Sequence, residues 1–583
     1  MSTQLGRLKR TWFDAWWFWA RTTLLRQWRR LREVGTRPER HTPQRAALAA
    51  AEHEWTTRAE VRSPLWTSTA ASEWPLVAGK VENLRRALPA FHGLFLPAGS
   101  VLSFWRQLGR PSRWRGFVPG RELREGCVVP APGGGLCQLS NALFQLAQQA
   151  GWQVLERHRH SMLLPGSQAA VDRDATVFWN HVDLRLRVPA ACRLLAGMDA
   201  DHLWLRVEVA AAADATRSAT LLDDSGTATA AVASCLSCAQ VECARHVPTL
   251  LAPAVPVSAQ VSLSVGAPWP EFVQGRESPP DGASPDLLRY DVELGERALG
   301  WWARQRGHTR AQRQLAVEQR AARWLARRLR PTHTRLQVPQ ALLPHLWLDG
   351  ALGGRRFDVL LTRPPLRQLH DTLDACARAH PGSMTAQEFR ASPQLVAAEQ
   401  TALAAAERWL SPFAALLDGG PDSRPHQWLP WCAPRALPLL RPRRCTPRVL
   451  FPLATAARHG AFELREALQG LPLQLLLGGS DLEGPGFWTA LRALRLKGPG
   501  DWRREVDLVV LPAWISGRPH ALLQARAASI PVITTAACGL RACAGVTLVP
   551  VGNVAALRAA LLDWLDRRDH TQASPGRSFA GAC

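Results

Sequence analysis

Three glycines at 133–135 lead into Cys137. From Leu139 the apolar residues 139, 143, 146, 147 and 150 fall on one helical face, with Gln138, Asn141, Gln145 and Gln148 on the other. This spacing predicts a helix with Cys137 in its first turn. Backbone N–H groups there lack intrahelical partners and the helix dipole is positive, so a thiolate is stabilised. Glycines in front of it allow another chain or a substrate close to the backbone. Downstream, ERHRHS alternates His158 and His160, and Asp172, Asp174, Asn180 and Asp183 follow. A cysteine nucleophile needs a base, and the base needs a group to orient it. Cys137, one of the two histidines, and an Asp or Asn180 supply that set for attack on an amide or ester, with Asp172 and Asp183 carried as its acids. The competing reading is a buried, inert thiol between leucines, with glycines that only reverse the chain.

A second constellation lies in SCLSCAQVECARH, where Cys235, Cys238, Cys243 and His246 have the spacing C-x2-C-x4-C-x2-H. Two-residue gaps let one turn present two ligands to a tetrahedral ion, so the expected cofactor is Zn2+. Four protein ligands close the coordination shell and make the site structural. An iron–sulfur site and a chance cluster stay open beside it.

The elements that must position these groups divide the chain. Residues 1–60 are basic and Trp-rich. Phe13, Trp16, Trp17, Ala20, Leu24, Trp28 and Leu31 keep helical spacing, with Arg21, Arg26, Arg29 and Arg30 between them. Such a helix either lies in a membrane interface or docks on its own globular body. Residues 61–250 hold short strands, best marked by Val182, Leu184, Leu186 and Val188 and by Leu203, Leu205, Val207 and Val209. Residues 251–285 read as a linker. Residues 286–447 and 448–570 read as two Rossmann-like lobes, because RFDVLLT, RVLFP, LQLLLGG, DLVVLP, PVITT and VTLVP alternate with helical segments, as parallel sheets require. Residues 571–583 form a tail. The fold class is therefore multidomain α/β, an α+β unit followed by two parallel-sheet lobes.

Of 583 residues, 71 are Lys or Arg against 48 Asp or Glu, giving a formal charge of +23. Nearly all the basic residues are Arg, with Lys only at 9, 80 and 497. A GC-rich genome produces that bias, and no RNP, zinc-finger or helix-turn-helix pattern accompanies it, so no specific nucleic-acid partner is expected. The longest early apolar run, Trp16–Ala20, is far short of the ~20 residues that span a bilayer. With no secretory signal read and 12 cysteines in so long a chain, the expected location is cytoplasmic, peripheral at the inner membrane face if the first helix binds lipid.

The run from PAGSVLSFW through GGGLCQLSNALFQLA to ERHRHS, then DATVFWNHVDLRLR, resembles the VanW family over essentially the whole of that domain. The resemblance implies glycopeptide-resistance clusters and proteins that act on or bind peptidoglycan, without an agreed reaction. The order Cys, His, polar residue, with the Cys opening a helix, is similar to that of papain-like and cell-wall cysteine peptidases. Residues 448–570 resemble the nucleotide-binding half of GT-B glycosyltransferases. That implies a sugar nucleotide near Gly478 and Gly479, with Arg518 and the helix N-terminus after ISGRPH meeting an anion. Retaining members often carry two glutamates eight positions apart at this place. Here Ser516 and Gln524 stand instead, which puts the donor or the chemistry in question. Three functions follow as expectations: a Cys137-dependent enzyme processing a glycan or lipid-linked envelope precursor, a sugar-nucleotide glycosyltransferase, or a non-enzymatic glycan-binding scaffold.

Overall fold

Alternating apolar residues build the main sheet of the N-terminal unit. Along His202–Ala210, Leu203, Leu205 and Val207 face inward, while His202, Trp204 and Arg206 alternate on the less buried side. This strand pairs antiparallel with Trp55–Pro64 and Cys192–Met198, and Leu94–Leu96 completes a four-stranded sheet. Two three-stranded sheets accompany it. One joins Val101–Ser103, Arg185–Arg187 and Gln153–Glu156; the other joins Ala233–Ser234, Cys127–Pro132 and Pro119–Arg124. The predicted helix forms as Cys137–Gln149 and buries Leu139, Leu143, Leu146 and Ala147 in one core with Phe91, Phe104 and Leu205. Each such leucine contributes roughly 1.5–3 kcal/mol by leaving water.

This computed structural model describes residues 11–42, 55–67, 73–124, 127–160, 174–179, 181–210, 233–234, 243, 260–265, 286–291, 310–387, 389–418, 425–432, 434, 444–496, 502–517 and 519–573. The chain divides into two units: residues 1–261 with 329–336 and 349–356, and the remainder. Three expected boundaries shift. Strand Trp55–Pro64 crosses the boundary drawn at residue 60, because its pairing with His202–Ala210 makes it part of the sheet. Strand Gln260–Val265 lies inside the expected linker, with Val261 and Leu263 buried. Helix Val554–Ala573 runs into the expected tail.

The second unit carries two six-stranded sheets. In the C-terminal one, Arg448–Phe451, Gln474–Leu477, Leu494–Arg495, Leu508–Leu511, Val532–Thr534 and Val546–Leu548, counted along the chain, lie in the order 3-2-1-4-5-6, all parallel. That is the Rossmann order. Leu508–Leu511 is buried at every position, as a strand covered on both faces must be. The other sheet, formed along the chain by Gln260–Val265, Asp286–Tyr290, Arg335–Pro339, Arg356–Leu360, Arg408–Ser411 and His426–Trp428, has the order 2-1-3-4-5-6. Arg356–Leu360, Arg408–Ser411 and His426–Trp428 run parallel along its last three places. These are two Rossmann-like lobes.

The first helix, Trp12–Arg32, opens on a capping box between Thr11 and Asp14 and reverses the usual orientation of an amphipathic helix. Its half-buried side holds Phe18, Leu25, Arg26, Arg29 and, just beyond the helix, Glu33, whereas Trp12, Phe13, Trp16, Trp17, Trp28 and Leu31 face solvent. Arg29 holds it down with hydrogen bonds to both Glu156 oxygens at 2.7 Å and to His181 O at 3.0 Å. Phe18 meets Phe178 edge to face, and the guanidinium of Arg124 lies over Phe18 and Trp19.

At the glycine turn, the close approach comes from the chain itself. A Cβ on Gly134 would stand 2.3 Å from Gly120 O, and one on Gly120 would stand 2.4 Å from Gly134 O. Asn83 locks the contact by donating to Val118 O and Gly134 O, each at 2.9 Å, and accepting from Val118 N at 2.9 Å. Gly134→Ala is therefore expected to lower unfolding free energy by about 1–3 kcal/mol, the range for overpacked sites. Denaturant unfolding checks this, and a midpoint equal to that of the parent chain would refute the packing account.

Candidate active site

Cys137 sits at the first position of its helix, where no side chain caps the end. Its Sγ is 3.5 Å from Thr176 Oγ1 and donates to Val177 O at 3.8 Å. His160 is its titratable partner. The ring Nδ1 of His160 lies 2.6 Å from Asp174 Oδ1, and its backbone N–H donates to Asp174 Oδ2 at 2.5 Å. Cys137, His160 and Asp174 thus stand in series, the arrangement that a nucleophile, a base and an orienting acid require.

The helix fixes this series at two further points. Ser140 Oγ donates to Ala175 O at 2.5 Å, and Asn141 Oδ1 accepts from Ala175 N at 2.8 Å. Arg157 Nε donates to Asp174 O at 2.7 Å while its guanidinium stacks over Phe144. The placement of Asp174 beside His160 follows from one β-bridge. His158 and Thr176 form an antiparallel bridge with Thr176 N–H donating to His158 O at 2.8 Å, which sets Asp174 across from His160.

Electrostatics favour an ion pair. Burial pushes the Cys137 thiol up, but hydrogen bonding and charge from His160, then Thr176 and Val177, bring it below its ordinary value. Burial lowers His160, and Asp174 and Cys137 outweigh it, raising the ring to about 10. Burial raises Asp174, and His160 pulls it below the usual carboxylate range. The states that satisfy all three are thiolate, imidazolium and carboxylate.

The other expected site residues fall elsewhere. His158 is 45% exposed and pairs with Glu156 at 3.1 Å. Asp183 is buried away from this series, accepting from Ser103 Oγ at 2.6 Å and Trp105 N at 3.1 Å and meeting Arg185 and Arg29. The acid beside His160 is Asp174, and the contacts of Asp183 are with Ser103, Trp105, Arg185 and Arg29. Asp172 and Asn180 lie outside the described residues, as do Cys235, Cys238, His246 and Arg518. Cys243 is described, and among the described residues no group of three or more His, Cys, Asp or Glu side chains could hold a metal. Gly478 and Gly479 approach their own backbone: a Cβ on Gly479 would stand 2.3 Å from Ala454 N. Ser516 is buried, and Gln524 Nε2 lies 2.8 Å from His520 Nε2.

A cleft of about 730 Å³ exposes Cys137, His160 and Thr176, walled by the glycine turn, Gln138, Trp179, and Trp19 and Arg26 of the first helix. Residues 79–210, which contain the whole series, match the family described as VanW like protein. The chain carries a VanW-like domain. Over 116 residues it is 29% identical to Vancomycin B-type resistance protein VanW of Enterococcus faecalis, covering 19% of this chain and 42% of that protein. Over 87 residues it is 33% identical to Uncharacterized protein YoaR of Bacillus subtilis, covering 15% of this chain and 28% of that one. The chain thus spans less than half the length of either relative.

In structure the chain is similar to sucrose-phosphate synthase from Thermosynechococcus elongatus, with 16% identity, TM-score 0.35, and 53% of this chain and 90% of that one covered. It is also similar to the lipopolysaccharide outer core galactosyltransferase WaaB, with 11% identity, TM-score 0.31, and 54% and 91% covered. At these scores the two-lobed description rests on strand order, not on the likeness. Among the described residues no helix is long and apolar enough to cross a membrane.

The ion pair of the VanW-like domain has a defined pH window. Thiolate is present above the lowered thiol value and is lost as pH falls through it. Imidazolium is present below about 10 and is lost as pH rises past it. Alkylation of Cys137 by iodoacetamide, followed on its own peptide, should therefore persist well below the ~8.5 of a free thiol. Asp174→Asn removes the anion that holds His160 protonated, and the rate at pH 6.5 should fall about tenfold, one pKa unit of lost coupling. An unchanged profile in Asp174→Asn would exclude the series.

Proposed function

We propose that the VanW-like domain is a cysteine-dependent hydrolase or transferase acting on an amide or ester of a glycan-linked cell-envelope precursor. The observation that carries this reading is the Cys137–His160–Asp174 series open to a cleft. Cys137 Sγ attacks the carbonyl carbon. The His160 imidazolium gives its proton to the departing amine or alcohol, leaving a thioester on Cys137. Water, or an amine or hydroxyl of an acceptor, then attacks the thioester while His160 takes its proton, and the thiolate returns. Asp174 keeps the ring oriented throughout and stabilises the imidazolium at the start and end of the cycle. The backbone N–H at the uncapped helix end faces the developing oxyanion. Peptidoglycan is the substrate class suggested by the resistance protein among the relatives. The two lobes supply the glycan-handling half, and a sugar nucleotide bound at the C-terminal ends of the Rossmann strands is the second reading, favoured by the 3-2-1-4-5-6 order.

The first helix suits peripheral contact with an anionic membrane. Its indoles stand exposed, Trp16 at 62% and Trp28 at 58%, with Arg21, Arg30 and Arg32 among them, while Arg29 fastens the opposite side to the body. Indoles favour headgroup depth, and guanidinium groups favour anionic lipid.

Incubation of the full chain with soluble muropeptides and lipid-linked precursors, read by mass spectrometry, should show cleavage or transfer. Cys137→Ser should lower it by a thousandfold or more at unchanged circular dichroism, on the order of other nucleophile removals. Equal turnover in Cys137→Ser sinks the thiol mechanism. A thermal shift with UDP-, GDP- or ADP-sugars that survives in that variant would place binding in the lobes, and a shift with none of them sinks the nucleotide reading. For the helix, the chain should sediment with phosphatidylglycerol vesicles and not with phosphatidylcholine ones, and Trp16→Ser/Trp28→Ser should release it. A parent chain left in the supernatant of anionic vesicles would end the membrane proposal.

A further inference from the structure

The Cys137 cleft is lined by an excess of cations, and two of them are set into its wall rather than spread on its rim. Lys80, on helix Trp74–Ala87, is only 6% exposed, and its Nζ has Thr67 Oγ1 at 3.5 Å. Among the described residues no carboxylate pairs with it. Its charged neighbour is another cation, Arg121, whose buried Nε has no hydrogen-bond partner and whose Nη2 reaches Glu73 only at 3.4 Å. Burial first, and Arg121 second, bring the Lys80 ammonium down to about 7. Two like charges packed together out of water are costly unless an anion completes the group. Two other cations of this lining are paired: Arg124 with Glu122, and Arg62 with Glu60 at 3.1 Å.

The turn that presents the nucleophile is shaped around this lysine. A Cβ on Gly135, two residues before Cys137, would fall 2.1 Å from Lys80 Cγ, and Gly135 holds a φ of +94°. Its lack of a side chain is what lets the Lys80 stem pass under the approach to Cys137. Gln138 adds a neutral acceptor. Its Nε2 is held by Pro64 O at 2.7 Å and Ser63 Oγ at 2.9 Å, which fixes the amide's orientation and leaves a buried Oε1 without a partner. Both Lys80 and Arg121 line the same cleft as Cys137, Gln138 and His160.

We propose that Lys80 and Arg121 form an oxyanion-binding subsite of the Cys137 cleft, which takes a carboxylate or phosphate carried by the substrate close to the amide or ester under attack. Gln138 Oε1 accepts from an N–H of the same substrate. The subsite deepens the thiol-enzyme reading and rests on it for its meaning, though its occupancy can be measured separately. Lys80 is a positioning residue here. It meets the anionic group and leaves the bond-making to Cys137 and His160.

Two alkylating agents that differ in one charge separate the questions. In the full chain at neutral pH, the rates at which iodoacetate and iodoacetamide modify the Cys137 peptide are compared with those for glutathione. The subsite predicts an iodoacetate-to-iodoacetamide ratio about tenfold above that of glutathione, the advantage of a charge-assisted contact. Lys80→Met and Arg121→Gln should each bring the ratio down to the free-thiol value, and Arg62→Gln should keep it within about twofold of the parent. Because the ratio cancels changes in thiolate content, it reads the subsite whatever the absolute rate. The iodoacetamide rate alone reads the Cys–His pair. Fast iodoacetamide with a glutathione-like ratio overturns the subsite and leaves the nucleophile standing. Protection needs no variant: inorganic phosphate or acetate should slow iodoacetate more than iodoacetamide, and the stronger of the two identifies a phosphate or a carboxylate as the natural group. No protection by either overturns the proposal even if the Lys80 variant fails to fold.

Discussion

A carboxylate removed from water stays ionised only where positive charge and hydrogen-bond donors replace its hydration. Asp174 is 1% exposed, and nearly everything around the candidate site is arranged to meet that demand. The His160 backbone and ring answer it directly. Ser140 and Asn141 hold the next residue, Ala175, to the helix, which restrains the acid relative to Cys137. The proton that His160 keeps for Asp174 is also the charge that favours thiolate on Cys137. One buried acid therefore sets the protonation of two other groups, and the geometry of the thiol follows from how that acid is housed.

The scaffold has little slack. Through Asn83, helix Trp74–Ala87 bonds to Val118, just before strand Pro119–Arg124, and to Gly134, and Gly120 of that strand meets the glycine turn backbone to backbone. A Cβ on Gly79 of the same helix would stand 2.0 Å from Pro119 O. The turn before Cys137 is thus set from below by close-packed main chain, while its cleft side stays open. Rigid support under an open face suits a nucleophile whose position must be held before substrate arrives.

Local periodicity made much of this legible. The helix at 137 and its buried face, the strands at 184–188 and 203–207, and the alternating β and α segments after 448 all follow from side-chain spacing, because burial acts on each residue in its own element. What depends on pairing between distant elements was not legible. Asp172, Asp174 and Asp183 are equally good acids by type, and only the register of His158 with Thr176 selects Asp174. An antiparallel bridge between DATVF and ERHRHS is the one pairing that would have found it. Lys80 and Arg121 carried no local signal, since one sits on a helix and the other on a strand and only tertiary packing brings them together. The first helix shows the same limit in reverse: its apolar stripe was visible, but the stripe faces out because Arg29 finds Glu156 and Asp183 on the other side.

That last arrangement bears on how the chain can be cut. Glu156 and Asp183 share two guanidinium groups, Arg29 from the first helix and Arg185 from the sheet, and Asp183 is already held above the usual carboxylate range, by burial first. Trimming the Trp-rich segment to gain solubility would strip one of those two counter-charges from a buried acidic pair. It would also loosen the end of strand Gln153–Glu156, from which the chain leads to His160. The segment that looks most dispensable on the surface is electrically part of the wall behind it, and a shortened chain would be a different protein at the site, not the same one without its leading helix.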